Sequence, residues 1–156
     1  MLFRSDNVVT VNQADLLSGG TVDGSAGTDT LALVSSETTL DLSSTTLASV
    51  EVILGNTNDN VVTVNQADLL SGGTVSGSAG TDTLALVSSE TTLDLSSTTL
   101  ASVEVILGNT NDNVVTVNQT DLLSGGTVDG SAGTDTLALV SSETTLDLSS
   151  TTLTSV

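Results

Sequence analysis

The stretch "DNVVTVNQADLLSGG" begins at Asp6, begins again at Asp59 and returns as "DNVVTVNQTDLLSGG" at Asp112, a period of 53 residues. A tandem repeat of that length points to an array in which each unit buries apolar residues against the next. Residues 6–58 and 59–111 differ only at Asp23 against Ser76. The third copy, 112–156, departs from the second at Thr120 for Ala67, Asp129 for Ser76 and Thr154 for Ala101. Residues 1–5, "MLFRS", match no repeat and read as a non-repeat lead of the kind an in-frame sequencing adapter encodes. The expectation is one continuous solenoid cut from a longer array, with repeats at 6–58, 59–111 and 112–156.

Within a unit the strand signals are short: "VVTV" (8–11), "GTV" (20–22), "TLALV" (30–34), "TTLDL" (38–42) and "VEVIL" (50–54). Each is rich in β-branched residues or alternates apolar with polar. "NQADLLSGG" (12–20) differs. Asn12 can cap, Asp15 follows three residues on, and Gly19 can end a short helical turn. Six elements per repeat average about nine residues each, so two make a coil of about 18. The predicted fold is all-β, a parallel β-roll or β-solenoid with about three two-strand coils and one short helical turn per repeat. Val9, Val11, Leu31, Leu33, Leu40, Leu42, Val50 and Val52 are the expected core, with Leu16 or Leu17 closing the helical turn.

Charge narrows the partners. Nineteen carboxylates face one base, Arg4, for a net charge of −18. Nucleic acid is excluded as a partner because phosphate contacts need Lys and Arg, and an anionic lipid surface is excluded on the same ground. No apolar run is long enough to insert in a membrane. A cation is the natural small partner. Without Cys or His there is no thiolate zinc site and no common general base. The carboxylate pairs Glu37 with Asp41 and Glu51 with Asp59 read as solvated positions, and no enzyme is expected.

The stretch "GSAGTDTLAL" at 24–33, repeated at 77–86 and 130–139, resembles the repeats-in-toxin nonapeptide, G-G-x-G-x-D-x-U-x with U apolar. Gly24, Gly27, Asp29 and Leu31 fill its first, third-Gly, Asp and U positions, and Ser25 replaces the second Gly. "GNTNDNV" (55–61) is a looser match through Gly55, Asp59 and Val61. The run "LDLSSTTLASVEVILGNTNDNVVTVNQADLL" is similar to segments of large secreted bacterial exoproteins and adhesins of that group. The resemblance implies an extracellular or cell-surface location. It also implies Ca2+ held between stacked turns by Asp29, Asp82 and Asp135 with Gly24, Gly27, Gly77, Gly80, Gly130 and Gly133, since calcium takes six to eight oxygen ligands. The turn expected to stack on 24–29, "SSTTLA" (43–48), has neither Gly nor Asp. The other reading of Asp29 is a turn residue that accepts neighbouring backbone N–H groups.

Three functions follow as expectations. The first is a structural spacer or stalk in a secreted bacterial surface or adhesin-like protein, able to associate end to end. The second is a calcium-binding module that folds outside the cell. The third, resting on the Ser and Thr content, is an ice-binding solenoid.

Overall fold

The computed structural model describes residues 5–156; Met1–Arg4, most of the expected lead, lie outside the described residues. The first repeat contributes β1 (Val8–Val11), β2 (Thr21–Asp23), β3 (Thr30–Leu33), β4 (Thr39–Asp41), β5 (Thr46–Ala48) and β6 (Val52–Leu54). The second contributes β7 (Val61–Val64), β8 (Thr74–Ser76), β9 (Thr83–Leu86), β10 (Thr92–Asp94), β11 (Thr99–Ala101) and β12 (Val105–Leu107). The third contributes β13 (Val114–Val117), β14 (Thr127–Asp129), β15 (Thr136–Leu139) and β16 (Thr152–Thr154). A single 3-10 turn opens each repeat after its first strand, at Gln13–Asp15, Gln66–Asp68 and Gln119–Asp121. Asn12 caps the first of these and exchanges hydrogen bonds with Asp15, as its spacing predicts.

Every ladder is parallel, and the chain is a β-solenoid of about seven turns. The coil differs from the predicted one. Val8 pairs with Thr30, Thr30 with Val52 and Val52 with Thr74, an advance of 22 residues per coil, the same separation that the hydrogen bond from Asn60 to Asp82 spans. Thr21 pairs with Thr46, Thr74 with Thr99 and Thr127 with Thr152, so among the strand ladders the advance lengthens, by three, only after β2, β8 and β14. Each coil contains three elements, not two, and each full repeat contains seven, not six, because β5 and its equivalents add a strand that the sequence reading missed. "STTLAS" carries one large apolar residue among hydroxyls, yet Leu47 is buried and Thr21–Asp23 pairs along it.

Seven elements per repeat and three per coil make two and one-third coils per repeat. Successive repeats therefore begin on different sides. One side is β1-β3-β6-β8-β11 and another is β4-β7-β9-β12-β14-β16. The third consists of β2-β5 and β10-β13-β15, with the Gln66–Asp68 turn packed between β5 and β10. The 3-10 turn is thus one layer of a side, placed where a strand would otherwise lie.

The core is a narrow column of aliphatic side chains. Leu31, Leu40, Leu42, Leu84, Leu93 and Leu95 have no solvent exposure, and each such burial contributes about 1.5–3 kcal/mol. Val11, Leu33 and Val50 are buried as predicted. Val9 is 40% exposed while its equivalents Val62 and Val115 are 3% exposed, because no described coil lies beneath β1. Val52 faces outward and Ile53 takes the core position. The phase changes at the corner between Val50 and Val52, just after Ser49 takes φ of 51°. Leu16 packs against the core and Leu17 is exposed.

Candidate functional site

The corners between strands carry the polar chemistry. Asp29 is buried, and its Oδ1 accepts hydrogen bonds from the Asn7 backbone N–H at 2.8 Å and the Asn7 side-chain amide at 3.0 Å. Its own N–H donates to Glu51 Oε2 at 2.8 Å. Asn7, Asp29 and Glu51 are spaced by 22 residues, so they stack one per coil at a single corner. Asn60, Asp82 and Glu104 repeat the arrangement, with Asn60 N–H donating to Asp82 Oδ1 and Asp82 N–H to Glu104 Oε2, each at 2.8 Å. Asn113 N–H donates to Asp135 Oδ1 at 2.7 Å. These carboxylates span coils, whereas the sequence suggested a bond within one turn.

The glycines of the motif make room for this stack. A Cβ on Gly77 would collide with the Ser102 carbonyl oxygen and with Asp82 Oδ2, and one on Gly24 with the Ser49 carbonyl oxygen and the Asp29 side chain. Gly130 stands in the same relation to Ser155 and Asp135. Gly80 has φ of +130° and lies against the Asn58 carbonyl oxygen; Gly27 and Gly133 are its equivalents. The Gly and Asp positions of the motif therefore form one inter-coil joint.

Each joint leaves one oxygen over: Oδ2 of Asp29, Asp82 and Asp135 is buried without a hydrogen-bond partner. Burial raises the Asp82 pKa above the ordinary carboxylate value, the Asn60 N–H opposes the rise, and the Glu104 and Asp59 charges add to it. Among the described residues no group of three acidic side chains converges to hold a metal ion.

Three asparagines that sequence reasoning passed over complete the corner. Asn56 donates to the Val34 and Glu37 carbonyls of the preceding coil at 2.8 and 2.7 Å, and Asn58 to Ser35 O at 2.9 Å. Asn60 Oδ1 accepts the Asn56 N–H at 2.7 Å. Asp59 Oδ1 accepts the Thr81 N–H at 2.8 Å. The alternation "GNTNDN" was the available signal, since Asn and Asp there satisfy backbone groups that a corner cannot pair. Glu51 and Asp59, considered as a carboxylate pair, are thus both acceptors of backbone N–H groups from neighbouring coils.

The 3-10 turns are the second polar site. The Gln66 side-chain amide donates to Asp94 O at 3.0 Å and accepts the Asp94 N–H at 2.6 Å, standing in for a strand residue. Gln13 does the same to Asp41, and Gln119 to Asp147. Asp68 caps the Asn65 N–H at 3.0 Å and is buried. Burial pushes its pKa up to about 6, against the pull of the Asn65 and Leu47 N–H groups and with a small addition from Glu90. Asp121 is likewise pushed up to about 6 by burial. The Leu100 N–H acts on its charge, yet Oδ1 lacks a hydrogen bond of normal geometry. Beside Asp68 is a cavity of about 10 Å³, lined by Val50, Glu51, Thr98 and neighbours. The corresponding space in the first coil, beside Asp15, Leu17 and Thr45, opens to about 150 Å³ because no described coil covers it.

Compared with known proteins, the chain matches no family model, and neither a curated protein nor a solved structure is detectably similar to it.

Proposed function

We propose that the chain is a structural spacer, a stalk segment of a secreted bacterial surface or adhesin-like protein. The observation that carries this reading is the ladder across repeat boundaries. The advance from β6 to β8 and from β12 to β14 equals the advance inside a repeat. The aliphatic core runs through the boundaries in the same way, while each Asn–Asp–Glu joint lies within one repeat. Such an array grows in length without acquiring a new interface at each unit. At about 4.8 Å per parallel strand spacing, two and one-third coils add about 11 Å per repeat. Scattering from the full chain and from a variant lacking residues 59–111 tests the reading. A particle shortened by about 11 Å with unchanged cross-section supports it; collapse or unchanged length contradicts it. The cell-surface setting rests on the resemblance of the repeat to exoprotein segments.

Calcium binding is the second reading, favoured by the buried, unpartnered Oδ2 atoms of Asp29, Asp82 and Asp135. Circular dichroism during a calcium titration separates the two. A coil-to-β transition at millimolar calcium supports the second reading, and a spectrum that is β without calcium and unaltered by it supports the plain spacer. Ice binding gains less, because Asp41, Ala85 and Leu107 lie along one side with Thr63 and Thr154, which breaks any uniform threonine plane.

A further inference from the structure

Seven elements fill a repeat and three fill a coil, so the remainder of one element cannot vanish. It appears as rotation. Thr39 begins β4 in the six-stranded side, whereas its equivalent one repeat later, Thr92, begins β10 in the three-stranded side. Val8 begins β1 on the remaining side, Val61 begins β7 on the six-stranded side and Val114 begins β13 on the three-stranded side. Each unit is thus displaced to the next side of the coil, and three whole units close seven whole coils. Each side carries the strand types in one common order, and that order is interrupted only by the 3-10 turn.

We infer that the number of repeats sets the angle as well as the distance between whatever the array joins. Adding or removing one unit moves the exit point by about 11 Å along the axis and by one third of a turn around it. Three units restore the angle. The inference rests on the spacer reading and deepens it: a flanking domain keeps its facing only when repeats change in threes. Changes of one or two units redirect it by a third or two thirds of a turn. The rigidity that transmits the angle comes from the corner joints, in which the Asn60 N–H, the Asp82 carboxylate and the Glu104 carboxylate tie three successive coils.

The chain has no cysteine, so paired nitroxide labels can be placed at exposed threonines. Thr92 and Thr136 share a side through Val114, two strand spacings or about 10 Å apart. Labels at 92 and 136 should show strong dipolar broadening. Labels at 39 and 92, equivalent positions one repeat apart, should show much weaker broadening because they lie on different sides. Removing 59–111 should then bring labels at 39 and 136 onto one side, with the broadening of the 92–136 pair. Broadening for 39–92 as strong as for 92–136 would overturn the rotation. So would a deletion variant that shortens by about 11 Å yet leaves 39 and 136 apart, and that result would keep the spacer reading. A deletion variant that does not shorten sinks the spacer reading instead, while the two full-length pairs still decide the rotation.

Discussion

Acidification from pH 7.5 to 4.5 should strengthen this fold, the opposite of ordinary acid denaturation. Asp68 and Asp121 are each raised from 3.8 to about 6, because burial beneath the next coil disfavours their charge. In the pH range between those values the folded state binds more protons than the unfolded state, so stability falls as pH rises. Below about pH 3.8 the stabilisation is complete, and it is lost as pH passes through about 6. At about 1.4 kcal/mol per pH unit, each group lowers stability at neutral pH by about 3 kcal/mol relative to its protonated form. Discounted for solvent screening, the two groups together amount to a few kcal/mol, a substantial share of a typical stability of about 5–15 kcal/mol. Asp82, also raised, acts in the same direction. Urea unfolding followed by far-ultraviolet circular dichroism at pH 4.5, 5.5, 6.5 and 7.5 measures the slope. The double variant D68N/D121N should flatten it, since Asn keeps an acceptor for the capped N–H without titrating. A midpoint that climbs from pH 4.5 to 7.5, or a slope untouched by the double substitution, would refute the assignment of buried charge to these turns.

Glycine positions separate room from conformation. Gly77→Ala should cost more than about 2 kcal/mol, since a methyl group there meets the Ser102 carbonyl and the Asp82 carboxylate. Gly72→Ala should cost only about 1 kcal/mol, because its surroundings are open and only its φ of +80° is unfavourable; equal losses in thermal or urea unfolding would remove the joint. Gln66→Ala should cost about 1–3 kcal/mol by leaving both backbone groups of Asp94 unpaired. Gln66→Glu should not rescue it, because a carboxylate cannot donate to Asp94 O. Leu86→Asp places an unpaired carboxylate in the core at a position only 4% exposed, and several kcal/mol should be lost; a melting temperature within a few degrees of the parent would show the strand phase to be wrong.

The alternation of "TLAL" and "TLDL" made Leu31, Leu33, Leu40 and Leu42 legible as core, and the Asn12 to Asp15 spacing made the 3-10 turn legible. The coil was not. "TLA" at 46–48 has too little apolar content to announce a strand, and it is held by pairing with Thr21–Asp23 in the preceding coil. Missing that one element turned seven into six, and the expected coil of about 18 residues falls short of 22 because the solenoid has three sides rather than two. Val52 failed for a related reason. Alternation carries only along a continuous strand, and the corner after Ser49 resets it. At the motif, the right residues could be read directly, Gly24, Gly27 and Asp29, but not their partners. Asn7 and Glu51 lie 22 residues away on either side of Asp29, and only the coil length identifies them.

That a coil contains three elements and 22 residues, the separation bridged from Asn60 to Asp82, is tested most directly by disulfide formation in two double-cysteine variants. Thr39 and Val61 are register partners on adjacent coils. Their spacing of about 4.8 Å lies within the range of about 4.4–6.8 Å that a disulfide spans between Cα atoms. T39C/V61C should therefore oxidise readily in the folded chain with no change in its β spectrum. T39C/T57C, at the separation that a two-strand coil would make adjacent, should remain reduced under the same conditions. Rapid oxidation of the 39–57 pair with none at 39–61 would contradict the three-sided solenoid and everything drawn from it.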